Sequence, residues 1–418
     1  MPAAAHVHAA PAGQPSCELA EIFQRYGAAY AAAHRLRPAQ RQAAWAIAHC
    51  RTAALGGQRE WCAECGFERF TYHSCRNRHC PKCQSRATAA WVAARREELL
   101  PVPYFHVVFT LPHQLHALLL WNEPNQRGLL DLLFAATSQT LLQFGRRELG
   151  GQLGCTLVLH TWDQRLRPHF HLHGLVPSGA LSPDGTRWIA GGRKFLFVVE
   201  QLSTVFRAQY LEGLERLLET GGLDLPPALA HLALPGPRRA WLRRFRRKPW
   251  VVYAKRPFAG PKKLVDYLGR YTHRVAIGNE RLVRCADGQV TDRYRDRRDG
   301  DRVKLDVLPV EEFLRRFLQH VLPPRFQRVR HFGLLANRGK RGRLAHCRRL
   351  LGARPRRRAA AAPATAVEWL RQVLGLDLTR CPQCGGPVSR ERLLVWRPPP
   401  TPLAAPPGYP EFEAWNTS

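Results

Sequence analysis

The residues in this chain best suited to chemistry are a run of histidines and a pair of tyrosines. In His169-Phe-His-Leu-His-Gly174 an extended backbone turns successive side chains to opposite faces. His169, His171 and His173 then share one face, while Phe170, Leu172 and Val176 share the other. A single buried histidine is usually a hydrogen-bonded core residue. Two neutral imidazoles two residues apart, His171 and His173, suit one divalent ion with open coordination positions. The second stretch is Lys263-Leu-Val-Asp-Tyr267-Leu-Gly-Arg-Tyr271-Thr-His-Arg274-Val-Ala. Wound as a helix at about 100° per residue, it puts Lys263, Tyr267, Arg270, Tyr271 and Arg274 on one side and Leu264, Val265, Leu268, Val275 and Ala276 on the other. Two tyrosines one turn apart among cations suit a nucleophile or a nucleic-acid contact better than a core role.

Cysteine supplies the other candidate chemistry. Cys62-x-x-Cys65 and Cys80-x-x-Cys83 are separated by 14 residues, and four thiolates in two such knuckles make a closed tetrahedral structural zinc site. Cys50, Cys75 and His79 are candidates for a second zinc ion, with ordinary core packing as the alternative. Arg76, Arg78 and Lys82 are interleaved with these ligands and suit phosphate contacts. Far downstream, Cys381-Pro-Gln-Cys384 is a single knuckle; His346 and Cys347 could complete it, or it is a half-ribbon without metal.

The chain that must position these groups has 418 residues, enough for two or three domains. Lys and Arg number 64 against 32 Asp and Glu, a net charge of +32, and the sequence pI is near 10.8. Such an excess repels itself unless a polyanion neutralises it, which makes nucleic acid the expected partner, with an anionic membrane surface as the competing one. No apolar run approaches the roughly 18 residues of a spanning helix, and the first residues lack a basic segment followed by an apolar one, so a cytoplasmic protein without a membrane partner is expected. Strand patterns at 104–111 and 155–162 flank helical patterns at 126–149 and 201–218. A hairpin follows at 290–308, so an α+β layer with a central antiparallel sheet is expected. In 238–250, Arg243, Arg244, Arg246, Arg247 and Lys248 alternate with Trp241, Phe245 and Trp250. This pattern suits a single-strand groove that stacks bases, or else a solvated face.

The pairing of His171-Leu-His173 with a later Tyr267-x-x-x-Tyr271 resembles the HUH endonuclease superfamily. Leu159-His-Thr-Trp, Ser74-Cys-Arg-Asn-Arg-His-Cys-Pro-Lys-Cys83 and Arg330-His-Phe-Gly-Leu-Leu-Ala-Asn337 extend the likeness over about residues 20 to 350. It points to rolling-circle, two-tyrosine insertion-sequence transposases of the IS91 type with an N-terminal zinc-binding region. The resemblance implies an HUH-like central antiparallel sheet over 100–340, a helical zinc-binding, DNA-binding domain over 17–99, a disordered start over 1–16, and a basic, Ala/Pro-rich tail over 341–418. It implies nicking and transfer of single-stranded DNA through a 5′-phosphotyrosine on Tyr267 or Tyr271. Mg²⁺ or Mn²⁺ would sit on His171 and His173, zinc would be structural, and Arg270, Arg274 and Lys263 would stabilise charge. The third ligand is open among His160, Gln164 and His169. A plasmid relaxase, a replication initiator and a non-catalytic zinc-dependent DNA-binding derivative are the rival readings.

Overall fold

The computed structural model describes residues 17–83, 85–192, 196–255, 260–272, 276–353 and 377–393, with isolated positions between 365 and 375, and omits the side chains of residues 85, 86 and 270–272. The chain divides into two units. The first comprises 1–48 and 75–364, the second 49–74 and 365–418.

In chain order the elements are α1 (Leu19–Ala33), α2 (Pro38–Ala48), β1 (Gly57–Trp61), β2 (Glu68–Tyr72), α3 (Ser85–Glu98), β3 (Tyr104–Thr110), α4 (His116–Leu120) and α5 (Glu123–Glu148). There follow β4 (Gly154–Trp162), β5 (Pro168–Pro177), β6 (Gly179–Leu181), β7 (Trp188–Ala190), α6 (Val199–Glu219), α7 (Pro235–Arg246), β8 (Val252–Lys255) and α8 (Gly260–Thr272). The last are β9 (Leu282–Ala286), β10 (Gln289–Asp296), β11 (Arg302–Pro309), α9 (Val310–Leu318), β12 (Val329–Gly333), α10 (Lys340–Leu350) and β13 (Ser389–Leu393).

The centre of the first unit is a five-stranded antiparallel sheet in the order β12-β4-β5-β3-β8. The fold is α+β, as the pattern of strands and helices indicates. The sheet is buried on both faces, and nearly every residue of β4 and β5 is buried. One face carries Phe105, Val107, Phe109, Leu157, Leu159, Phe170, Leu172 and Val176, and these join the apolar sides of α5 and α6 in the main core. Gly174 lies on this face: a Cβ there would overlap the Val107 side chain, so glycine is what lets β3 and β5 close together. The long α5 starts where Asn122 accepts a hydrogen bond from the Asn125 N–H, with a proline in its first turn. On the opposite face, Tyr104 and Leu175 pack with Leu99 of the segment after α3 and with Leu264, Val265 and Leu268 of α8.

The 17–99 stretch is not one continuous domain. Helices α1 and α2 belong with the first unit, where Phe23 meets Phe317 edge-on at 5.6 Å and the Gln40 side chain donates to the Leu318 carbonyl. Strands β1 and β2 instead form a three-stranded sheet with β13 in the second unit. The tail region divides likewise, because Leu344 and Cys347 of α10 are buried in the first unit.

Candidate active site and metal centres

Strand register builds the histidine site. His171 lies directly opposite His160 of β4, and residues opposite one another in an antiparallel pair share a face. The ligand nitrogens of His160, His171 and His173 all lie within 4.8 Å of one another. The Nε2 atoms of His171 and His173 are 3.0 Å apart. Two nitrogens about 2.1 Å from one ion in adjacent octahedral positions stand about 3.0 Å apart, so this donor set fits a divalent cation. The tautomer of His171 is fixed as well: its Nδ1 is 2.9 Å from the His169 carbonyl oxygen and must donate, which leaves Nε2 as a lone pair facing the site. Burial holds all three imidazoles neutral. It takes His171 down to about 3, with His169 next in effect, and keeps His160 and His173 well below the ordinary histidine value, reinforced by the neighbouring imidazoles.

Of the three residues open for the third position, the structure therefore gathers His160. His169 is kept out by a bulge: two residue steps on β4, from His160 to Trp162, are matched by three on β5, from His171 to Pro168. Gln164 lies in the β4–β5 turn, where its carbonyl accepts from Arg281. The Trp162 ring stacks on His160 at 5.3 Å.

Sequence reading missed His106. It stands on β3, with Nε2 2.7 Å from Nδ1 of His173 and its ring stacked on that imidazole at 5.0 Å. Nothing in Tyr-Phe-His-Val-Val marks it; only the pairing of β3 with β5 brings it to the site.

Helix α8 brings Tyr267 to the same face. Its half-buried ring lies 5.8 Å from the His106 ring and 6.2 Å from that of His173, both edge-on. Two devices hold α8 against α3. A Cβ on Gly269 would overlap Cγ2 of Val92, so the glycine permits close helix approach, and Asp266 accepts from Arg96 at 2.9 and 2.6 Å. Tyr271 and Arg270 lie on the same helix with side chains outside the described atoms, and Arg274 is outside the described residues. Lys263 is exposed. Tyr253, on β8 beside β3, places its ring 6.2 Å from His106. A cleft of about 380 Å³ opens beside Trp162, lined by Arg281, Arg293, Tyr294 and Arg295 among others.

The cysteines are paired differently from the sequence expectation. Cys62 and Cys65 gather with Cys381 and Cys384, all four sulfurs within 4.8 Å of one another in the second unit. Cys80 and Cys83 belong to the first unit with Cys75, and the Cys75 and Cys83 sulfurs are 3.6 Å apart. Pairing of β1 with β13 brings the distant knuckle to Cys62 and Cys65, so the expected Cys62–Cys65–Cys80–Cys83 set is corrected. His79 is not part of the thiol group; it is buried, and desolvation together with Arg328 and Arg78 keeps it well below the ordinary histidine value. Nor are His346 and Cys347 the complement of Cys381. His346 lies 2.6 Å from the Gly185 carbonyl, and Cys347 packs with Leu334 and Leu344.

The basic motifs are also revised. Phe245 and Trp250 are buried in the main core and Trp241 packs against it, so these rings are unavailable to stack bases; the apolar side of α7 turns Trp241 and Phe245 inward. Arg243, Arg244, Arg246, Arg247 and Lys248 remain exposed, with Arg246 paired to Glu215 at 2.8 Å. Arg78 donates to the carbonyls of Phe326 (2.6 Å) and Pro323 (3.0 Å), and Lys82 pairs with Glu18, so neither is a free phosphate contact. Arg76 is exposed.

Comparison with known proteins gives the family. Residues 154–342 match a family described as "Putative transposase", and residues 22–111 match a "Transposase zinc-binding domain". The "Putative transposase y4qJ" of Sinorhizobium fredii (strain NBRC 101917 / NGR234) is 48% identical over 371 residues, 88% of this chain and 92% of that protein. The "Transposase for insertion sequence element IS801" of Pseudomonas savastanoi pv. phaseolicola is 30% identical over 299 residues, 69% of this chain and 68% of that one. No solved structure matches. Among the described residues no helix is long and apolar enough to cross a membrane. With both domain matches in order along it and relatives matched over most of their length, the chain belongs to the IS91-type transposases with an N-terminal zinc-binding region.

Proposed function

We propose that this transposase nicks and transfers single-stranded DNA through a covalent 5′-phosphotyrosine, with Tyr267 as a nucleophile. The observation that carries the reading is the convergence of three neutral imidazoles within 4.8 Å, with the Tyr267 ring 6.2 Å from that of His173. His160, His171 and His173 would hold Mg²⁺ or Mn²⁺, which when bound polarises a phosphate oxygen and orients the phosphodiester. His106 would accept the Nδ1–H of His173, keeping Nε2 of that ring as the donor to the ion. The Tyr267 oxygen attacks phosphorus, the bond to the 3′ oxygen breaks, and the proton leaving the phenol is balanced by one gained at the released 3′ hydroxyl. A phenol with a pKa near 10 is a weak nucleophile at neutral pH, so the cations Lys263 and Arg270 of the same helix, and Arg274 of the same sequence stretch, are assigned to stabilising phenolate and phosphate charge. Tyr271 would make the other of the two cleavages.

A structural zinc on Cys75, Cys80 and Cys83 is assigned to the matched zinc-binding region. Arg76 and the exposed run Arg243, Arg244, Arg246, Arg247 and Lys248 are assigned to DNA phosphates through charge alone. The test is incubation of the full chain with Mn²⁺ and a single-stranded oligonucleotide carrying the element's terminus. An SDS-resistant protein–DNA band is expected; its absence with wild-type protein, or its persistence in His171→Ala, overturns the reading.

A further inference from the structure

The second unit poses a physical problem. Among its described residues, the buried side chains other than glycine are Cys50, Cys62 and Cys381, plus the single carboxylate of Glu60. A three-stranded sheet with no buried Leu, Ile, Val or Phe lacks the apolar burial that stabilises a fold, and units of this kind need a metal or a disulfide.

The four thiols at its end supply the answer. The Cys62–Cys384 and Cys65–Cys381 sulfurs are each 3.5 Å apart. That is far beyond a disulfide bond, and close to the roughly 3.8 Å edge of a tetrahedron with Zn–S bonds of about 2.3 Å. The two knuckles are also built alike although more than 300 residues separate them. Each reads Cys-x-x-Cys-Gly, in Cys62-Ala-Glu-Cys65-Gly66 and Cys381-Pro-Gln-Cys384-Gly385. In each, the glycine N–H donates to the carbonyl of the first cysteine, at 3.0 and 2.9 Å, and the N–H of that cysteine donates back to the carbonyl five residues on, at 2.9 and 2.8 Å. Both glycines have positive φ, +71° and +78°, the backbone state that lets so tight a loop close. In the C-terminal knuckle the Gln383 and Gly386 amides also point at sulfur, each at 3.4 Å, as donors to a thiolate do. The sheet behind is tied by Glu60 on the central strand, which pairs with Arg69 of β2 and, at 2.8 Å, with Arg390 of β13.

We infer that Cys62, Cys65, Cys381 and Cys384 bind one structural zinc ion that clasps the C-terminal segment onto β1 and β2. The zinc-binding region therefore extends beyond the matched residues 22–111 to the far end of the chain. This site is distinct from the one assigned to Cys75, Cys80 and Cys83, and its test reads metal rather than DNA cleavage, so it stands or falls independently of the proposed reaction.

The experiment is native mass spectrometry of the full chain purified without chelator. Cys381→Ser/Cys384→Ser should bind one zinc fewer per chain than wild type. Cys62→Ser/Cys65→Ser should lose the same one, and the quadruple variant still only one. To guard against variants that misfold, the complementary chain Cys75→Ser/Cys80→Ser/Cys83→Ser is loaded with Co²⁺ and should show the thiolate-to-cobalt charge-transfer absorption of a four-sulfur site. Unchanged zinc in Cys381→Ser/Cys384→Ser, loss of two ions in the quadruple variant, no such cobalt band, or a Cys62–Cys384 disulfide in peptide maps would each overturn the assignment.

Discussion

The sharpest test of the proposed centre is His106, a residue outside the ligand set. If His173 presents Nε2 to the ion, its Nδ1–H must find an acceptor, and His106 Nε2 is 2.7 Å away in a buried setting. His106→Phe keeps a ring stacked on His173 and edge-on to Tyr267 but removes the acceptor. A buried donor left without a partner costs about 1–3 kcal/mol. Because the unsatisfied N–H favours the tautomer or rotamer that does not bind metal, most of that cost falls on metal affinity. At about 1.4 kcal/mol per tenfold, the half-saturating Mn²⁺ concentration for adduct formation should rise roughly tenfold to a hundredfold. The rate at saturating Mn²⁺ should stay within a few-fold of wild type, since His106 is a positioning residue. His106→Asn, whose amide oxygen can accept, should recover part of the affinity. The assay is a Mn²⁺ titration of covalent adduct on a terminal oligonucleotide. An unchanged titration midpoint in His106→Phe would refute the reasoning, and so would a collapse of the saturated rate with the midpoint unmoved.

Other predictions follow from the same geometry. His171→Ala and His173→Ala should each abolish divalent-dependent cleavage while DNA binding, measured by filter retention, stays near wild type. Tyr267→Phe and Tyr271→Phe should differ, one losing initial cleavage and the other only completed strand transfer, and the double variant should give no adduct on a denaturing gel; adduct in the double variant would direct attention to Tyr253, which also faces His106. Gly269→Val should push α8 off α3, costing about 1–3 kcal/mol in denaturant melts and reducing cleavage, and Val92→Ala in the same chain should restore part of both. Asp292 lies opposite Asp306 on neighbouring strands; burial raises its carboxyl to about 6, with Arg281 opposing and Asp306 adding to the rise. A raised folded value means its contribution is full below about pH 4 and is lost as pH climbs through about 6, so wild-type stability should fall relative to Asp292→Asn across that window, by an amount of order 3 kcal/mol. Wild-type stability that keeps level with Asp292→Asn, or gains on it, toward neutral pH would contradict this.

The sequence made periodic elements and single-segment motifs readable. The alternation in 169–176 placed His171 and His173 on one face because a strand has no other option. The helical spacing in 263–276 put Leu264, Val265 and Leu268 inward for the same reason. The hairpin around Gly300, at φ +59°, followed from turn chemistry. Residues whose role depends on which strands become neighbours were not readable. His106 joins the site through β3, and nothing local distinguishes it from the buried His320; His160 is one of three candidates in the sequence, and only its register with β5 singles it out. The aromatics near α7 show a related limit. Five cations among three rings look like a nucleic-acid groove until the apolar stripe Leu242–Phe245 is seen to need a core, after which those cations remain outside.

The cysteines carry this furthest. A Cys-x-x-Cys pair fixes geometry within one knuckle, since two thiolates three residues apart span one edge of a tetrahedron. It says nothing about which other knuckle provides the opposite edge. Fourteen intervening residues made Cys80 and Cys83 a reasonable partner for Cys62 and Cys65, and loop-closure cost favours the nearer pair, but only weakly, because that cost grows with the logarithm of loop length. Strand pairing outweighs it. Five register pairs between β1 and β13, with Glu60 reaching guanidiniums on both flanking strands, bring Cys381 and Cys384 to Cys62 and Cys65. Cys80 and Cys83 are left to the first unit with Cys75. A chain with two knuckles near its start and one near its end thus resolves into two thiol clusters, and what decides the pairing is a short strand, Ser389–Leu393, whose sequence Ser-Arg-Glu-Arg-Leu carries neither cysteine nor histidine.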